Sequence, residues 1–318
     1  MRLFENTNVK FIQNRYWAYA LSLIVIISGL VSLVVKGGPR WSIDFTGGVS
    51  IELNLAPIQS YMPPIHIDNI RKVLKENGVE DAEIQKIGDP NGSVYLIKAS
   101  KREPQQTQIL DILKKAFPDY TRKPEQQLIR LQEEVGPKVG DELKVQAIKA
   151  VLISFLLMII YIWFRFELTF GIAAVLALVH DVLITVGLFS LLNKEISVTI
   201  VAALLTIVGF SINDTIVIYD RIREDMKIHR KEPIDVVFNN AINRTLSRTI
   251  ITSGTVLLSI ISLLVFGGTV IRDFGWAMLI GVISGTYSSV LVASPLVVEY
   301  YRIRGLKDKD VKSFKKKK

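Results

Sequence analysis

The chain has 318 residues, 49% of them hydrophobic, a mean hydropathy of +0.34 and a formal net charge of +9. It contains no cysteine, which excludes disulfide bonds and thiolate chemistry. Its apolar residues fall in six blocks of membrane-crossing length, about 20 mostly apolar residues each, so an ordinary water-soluble globule is excluded as well.

The N-terminal segment 1–15 is basic, with Arg2, Lys10 and Arg15. The first span is predicted over 16–35. Its apolar run from Trp17 to Val35 is longer than a signal-peptide core, and Lys36-Gly37-Gly38-Pro39-Arg40-Trp41 is no small-residue cleavage site, so it reads as an uncleaved helix. Residues 36–145 are the one long polar stretch, large enough for a domain of their own. The remaining spans are predicted at 146–164, 168–192, 197–219, 249–267 and 275–298. A loop at 220–248 and a basic tail at 299–318 complete the chain.

Within the polar stretch, Val49 to Leu55 alternates apolar and polar residues, the period of a half-buried strand. A Pro-rich break from Pro57 to Pro64 follows. Ile67, Ile70, Val73 and Leu74 recur at helical spacing, and Asn77-Gly78 ends that helix. Residues 82–87 read as a strand, Asp89-Pro90-Asn91-Gly92 as a turn, and 94–97 as the returning strand of a hairpin. Ile109, Ile112, Leu113 and Phe117 mark a second helix, and 128–132 a last strand. The order βαββαβ predicts a small ferredoxin-like α+β domain.

Residues 36–145 hold 16 basic and 16 acidic residues, so the net positive charge lies elsewhere. It collects at the N-terminus, in the loop after the fourth span (Arg221, Arg223, Lys227, Arg230, Lys231) and in the tail from Arg302 to Lys318. Short loops rich in Lys and Arg stay in the cytoplasm. With six spans these three segments share one side, which places both termini in the cytoplasm and the α+β domain outside. Basic residues beside a span point to anionic lipid rather than nucleic acid.

The sixth span carries Ala277, Gly281, Gly285, Ser289 and Ala293 at four-residue spacing, with Ser284 and Ser288 widening the stripe. Gly281, Gly285 and Ser289 are therefore expected at a close helix–helix contact, because small residues let helix backbones approach in lipid. Pro295 is expected to bend the end of this helix.

Four places carry candidate chemistry. Asp214 interrupts the apolar run from Val198 to Tyr219, five residues and about 7 Å from the end of that span. A carboxyl at membrane depth marks either a proton path or a structural hydrogen-bonding group. Asn213 stands beside it, and Thr206, Gly209, Asn213 and Asp220 form a stripe one step away. Arg248, at the threshold of the fifth span, is a possible buried counter-charge for Asp214 or an arginine reaching lipid head groups. His180 and Asp181 lie mid-way along the third span and offer two proton sites. Adjacent helical residues point about 100° apart, so the two are not expected to pair with each other. Gly47-Gly48, in Ile43-Asp44-Phe45-Thr46-Gly47-Gly48, reads as a structural turn into the first strand.

Other chemistries find no residues. His66, His180 and His229 lie in three different segments and no H-E-x-x-H is present, so no metal site is expected. There is no P-loop for ATP, and neither Ser284 nor Ser289 has an adjacent base. Neither an enzymatic activity nor a cofactor is expected.

Several segments together resemble the SecF subunits of the bacterial Sec protein translocase, of the SecD/SecF family in the RND superfamily. They are residues 43–48, Val135-Gly136-Pro137, Val179-His180-Asp181, Gly209 to Thr215, Asp220 to Glu224, and Ser247-Arg248-Thr249. The resemblance implies an RND-type half-bundle in the bacterial cytoplasmic membrane, working with SecD beside the SecYEG channel. YajC and YidC are further candidate partners, and an unfolded preprotein is the cargo. The energy source would be the proton gradient, acting after the ATP-driven step, with the counterparts of Asp214 and Arg248 in the proton path. A complete RND-type bundle has twelve spans and this chain supplies six. Two other functions are compatible with the residues: an RND-type small-molecule exporter subunit, and a non-titrating scaffold of the channel.

Overall fold

Six helices in the computed structural model are long and apolar enough to cross a membrane, making the chain a multi-pass membrane protein. The structure describes residues 7–58, 62–79, 82–87, 92–100, 106–267 and 269–304. In chain order, α1 (Arg15–Val35) is followed by the single turn α2 (Ile43–Thr46), β1 (Gly48–Asn54), α3 (Ile67–Glu76), β2 (Glu83–Ile87), β3 (Val94–Ser100) and α4 (Gln106–Ala116). The short α5 (Pro118–Thr121) and α6 (Glu125–Leu128) then lead to β4 (Ile129–Val135). The long helices α7 (Pro137–Arg165), α8 (Leu168–Leu191), α9 (Val198–Ile228), α10 (Ile234–Phe266) and α11 (Thr269–Ser288) follow, and α11 passes through a π-helical stretch, Ser289–Ala293, into α12 (Ser294–Ile303).

One compact unit is Trp41–Lys149. Its four strands form an antiparallel sheet in the order β2-β3-β1-β4, the topology expected of a ferredoxin-like sandwich. Alternation along β1 puts Val49, Ile51 and Leu53 on one face, directly opposite Ala99, Ile97 and Tyr95 of β3. Ile70 and Leu74 of α3 and Ile109 and Leu113 of α4 join these residues in one core, and all four are fully buried. Burying each such side chain contributes about 1.5–3 kcal/mol. The turn expected at 89–92 lies, except for Gly92, outside the described residues, as do Arg2 and the tail beyond Arg304.

Gly47 is a backbone requirement. Ser42 caps α2 by accepting from the Asp44 N–H at 3.2 Å. The chain then reverses through Gly47 at φ +72° and Gly48 at φ +144°. A β-carbon on Gly47 would stand 3.1 Å from Pro137 Cα, and one on Gly140 would stand 3.0 Å from Gly47 N. Only glycine combines this φ with that approach.

The second unit holds the spans other than the N-terminal part of α7. Its core joins Phe170, Ala174 and Leu178 of α8, Val208, Ile212 and Tyr219 of α9, Phe238 and Ile242 of α10, and Val290 and Val297 of the last span. Phe170 sits edge-on to Tyr219, with ring centroids 4.9 Å apart. On α1, Gly29 meets Gly187 of α8 backbone to backbone: a β-carbon on Gly29 would lie 2.6 Å from Gly187 Cα. Beside this crossing the Ser32 and Ser190 hydroxyls are 2.8 Å apart, and Lys36 donates to the Ser190 carbonyl.

The helices outrun the apolar blocks. The segment 220–248, expected to be a loop, is helical except at 229–233. Its lysines, arginines and glutamates are good helix formers, and its charges pair between helices: Arg165 with Asp220 at 2.5 Å, and Arg244 with both Asp225 oxygens at 3.0 and 3.1 Å. Hydropathy marks the edge of the hydrocarbon, not the end of the helix. In the last span the π-helical stretch precedes Pro295, which has no N–H to give the preceding turn. Ser294 Oγ reaches back to the Ser289 carbonyl at 3.1 Å, five residues away. Four-residue spacing drifts off one face of an ordinary helix by about 40° per step, and the wider turn corrects it. Ser289 and Ala293 both remain on the face toward α9.

Candidate functional site: the buried acids of the bundle

Glycines set the α9–α11 contact. A β-carbon on Gly281 would lie 2.2 Å from Ile207 Cδ1, and one on Gly285 would lie 3.0 Å from Ser211 Cβ. This close approach brings Ser289 Oγ to 3.0 Å from Thr215 Oγ1 and 3.3 Å from the Ser211 carbonyl. Two acids are buried beside this contact, and their surroundings differ.

Asp181 of α8 is fully buried. Its Oδ2 accepts from Ser211 Oγ of α9 at 2.6 Å and Ser288 Oγ of α11 at 2.8 Å. Its Oδ1 faces Ser284 Oγ of α11 at 2.8 Å and His180 Nδ1 at 3.0 Å. The last contact overturns the expectation that neighbouring residues on a helix cannot pair. Nδ1 is the ring nitrogen nearer the backbone, so a turn of each side chain about its own bonds closes the 100° gap. His180 Nε2 continues to Ser22 Oγ of α1 at 2.8 Å, and its ring stacks on Tyr287 with centroids 6.1 Å apart.

Asp214 of α9 is 3% exposed. Among the described residues its Oδ2 has no hydrogen-bond partner. Two groups act on its charge, the Arg248 guanidinium and the Ser253 hydroxyl, both from α10. Arg248 is exposed on α10, and among the described residues Asp214 makes no ion pair within 4 Å; the buried pair expected of these two is absent from this conformation. Asn213 is exposed too, on the side of α9 that carries Thr206 and Gly209. The helix periodicity separates it from Asp214 by one step, enough to turn it out of the bundle. Ser253 Oγ lies 2.7 Å from Thr286 Oγ1 of α11, and Thr286 gives its own hydrogen to the Val282 carbonyl at 2.8 Å.

Residues 115–303 match the C-terminal region of the family of protein export membrane proteins SecD/SecF, and residues 31–57 match the SecD/SecF GG motif. The chain belongs to the SecD/SecF family. Within the family, the protein translocase subunit SecF of Rhodothermus marinus is 42% identical over 94% of this chain and 95% of its own length. The protein translocase subunit SecF of Koribacter versatilis is 35% identical over 96% of this chain and 95% of its own. The protein translocase subunit SecDF of Thermus thermophilus is 40% identical, and there 89% of this chain aligns with 37% of the longer protein. The crystal structure of the Thermus SecDF, described as a translocon-associated membrane protein, matches with a TM-score of 0.80 and 38% identity over 93% of this chain and 39% of that one. The architecture is thus an RND-type half-bundle with a small α+β domain.

Several members of the site have no role marked in the sequence. Ser22, Ser211 and the stripe residues Ser284 and Ser288 converge on His180 and Asp181 from three other helices, and nothing in the spacing of these serines points to an acid on another helix. Asp225 is 1% exposed and held by Arg244 and, at 3.2 Å, by Arg221. Arg15, expected only as a cytoplasmic positive charge, is buried with its Nε 2.5 Å from Glu299 Oε1, and Tyr16 donates to the same oxygen at 3.0 Å. Asn243 accepts from the Val9 N–H and donates to the Val9 carbonyl, both at 2.9 Å, fastening the segment before α1 to α10.

Proposed function

We propose that the chain, as a SecF-type subunit of the Sec translocase, works with SecD and uses the proton motive force to promote passage of unfolded preproteins across the bacterial cytoplasmic membrane, after the ATP-driven step. No bond in the cargo is made or broken in this reading; the work is conformational. The observation that carries it is Asp214, an acid buried within a predicted span whose Oδ2 has no partner among the described residues. Unsatisfied polar groups in such a place are costly, and an ionisable group within a span is by default a candidate for function.

The hydrogen count around Ser253 supplies a coupling step. Ser253 has one hydroxyl hydrogen and two neighbours able to take it, Asp214 of α9 and Thr286 of α11. An ionised Asp214 draws that hydrogen. A protonated Asp214 has a hydrogen of its own to give and releases Ser253 to Thr286, so one proton shifts the tie of α10 from α9 to α11. A proton crossing 100 mV supplies about 2.3 kcal/mol, more than the ~0.5–1.5 kcal/mol net of one hydrogen bond.

The partner follows from what is left uncovered. Asn213 and Arg248 are exposed where hydrocarbon cannot satisfy them, and the SecD half is their natural counterpart, since a relative carries both halves in one chain. SecYEG is the channel served, with YajC and YidC as neighbours. The basic segments support a topology with both termini in the cytoplasm, against anionic lipid, and the α+β domain on the far side. The test is translocation of a preprotein into vesicles containing SecYEG, SecD, the motor ATPase and this chain, with the gradient collapsed once the ATP-driven step is complete. Completion of export should stall on collapse, and only when the chain is present. Export indifferent to both would end this reading.

A further inference from the structure

Five threonines are buried among the described residues. Four of them give their hydroxyl hydrogen to the carbonyl four residues back, the usual habit of a helical threonine. Thr121 reaches Phe117 and Thr185 reaches Asp181, both at 2.8 Å; Thr215 reaches Ser211 at 3.1 Å and Thr245 reaches Ala241 at 3.2 Å. Thr249 is the exception. It is 1% exposed, and among the described residues its Oγ1 has no partner. Its hydroxyl is turned off the Thr245 carbonyl that the same habit would offer it.

The place of Thr249 in the bundle is as telling. Thr245, Thr249 and Ser253 are buried at four-residue spacing along one face of α10. Near one end of that face Arg244 holds Asp225 of α9; at the other Ser253 acts on Asp214 of α9. Thr249 therefore lies about one turn, roughly 5.4 Å, from Ser253 on the side of the Asp225–Arg244 pair. The Oδ2 of Asp214 is a second buried oxygen without a partner among the described residues. A buried hydroxyl and a buried carboxyl oxygen, both unmet on facing helices, are costly side by side. Further along α9 on the Asp214 face, Ile218 and Ile222 are fully buried in one core with Phe238, Ala241 and Ile242 of α10. The seam is closed there by apolar packing.

We infer that Thr249 is a water-binding residue: an occluded water sits between α9 and α10, taking the Thr249 hydroxyl hydrogen and meeting the free Oδ2 of Asp214. Ser253 Oγ is within the same turn and supplies a third contact, and a buried water takes two to four. Two hydrogen bonds of about 2.8 Å let one water join oxygens roughly 5 Å apart. With Ile218 and Ile222 packed beyond it, the water is a bound molecule and not part of an open channel. Thr249 then acts on Asp214 through that water, keeping the carboxyl solvated on the side of the Asp225–Arg244 pair. The site goes beyond the function proposed above and stands whether or not Asp214 exchanges a proton during export.

The test is water-edited solid-state carbon-13 NMR of the full chain in lipid bilayers, in which magnetisation passes from water to nearby carbons. Thr249 and Thr185 are assigned by their loss in Thr249→Val and Thr185→Val. Thr249 Cβ should receive water magnetisation several-fold faster than Thr185 Cβ, which is equally buried but bonded to its own helix. In Thr249→Val, which keeps the side-chain shape and removes the hydroxyl, transfer to the Asp214 carboxyl carbon should slow several-fold. A Thr249 signal no faster than that of Thr185, or an Asp214 transfer rate untouched by Thr249→Val, would overturn the proposal.

Discussion

Gly29→Val should separate α1 from α8 and deplete the folded chain, while Gly254→Ala in α10 leaves it intact. The first β-carbon would arrive 2.6 Å from Gly187 Cα, a backbone atom with no rotamer to yield, whereas among the described residues nothing beyond its own helix backbone stands within 4 Å of the second. Carbon atoms rest about 3.5–4.0 Å apart, so the helices must part by roughly an ångström. That movement also strains the Ser32–Ser190 contact, the Lys36 bond to the Ser190 carbonyl and the Ser22–His180 bond, all of which join the same two helices. Overpacking of this kind costs about 1–3 kcal/mol, and the lost bonds add to it. Thermal unfolding in detergent, followed by the protein remaining monodisperse, reads the effect. A Gly29→Val protein as stable as wild type would show that the glycine contact does not hold α1.

Asp214→Asn should remove the gradient-dependent part of export entirely and leave the ATP-driven part and assembly with SecD unchanged. Asparagine keeps the size of the side chain and can still meet Ser253, but it cannot take up and release a proton. Asp214→Glu should retain part of the stimulation, because the acid survives at an altered reach. Export rates measured with the gradient imposed and collapsed separate the two parts. A full gradient response in the asparagine variant would leave Asp214 a structural group only.

Much of this architecture is legible in the residues. The six spans follow from runs of apolar residues, and the α+β domain from the switch between two-residue and helical periods, because both report burial of one face. Val49, Ile51 and Leu53 lie where alternation puts them. Asp214 announces itself because an acid in a span is expensive wherever it points. What the sequence hides is pairing across helices. Nothing in Arg15 foretells Glu299, nor in Gly29 foretells Gly187, since these contacts depend on which helices adjoin and at what height. The His180–Asp181 contact was hidden for another reason: helical spacing fixes Cβ directions and leaves the side-chain torsions free. The ends of α9 and α10 escaped because hydropathy responds to lipid, and charged residues continue a helix as readily as apolar ones.

The most direct measurement is infrared difference spectroscopy of the reconstituted complex during export, with the gradient imposed and then collapsed. A protonated-carboxyl band should rise and fall with the gradient and vanish in Asp214→Asn. An Asp214 carboxyl that keeps one protonation state through every condition supporting export would contradict the account.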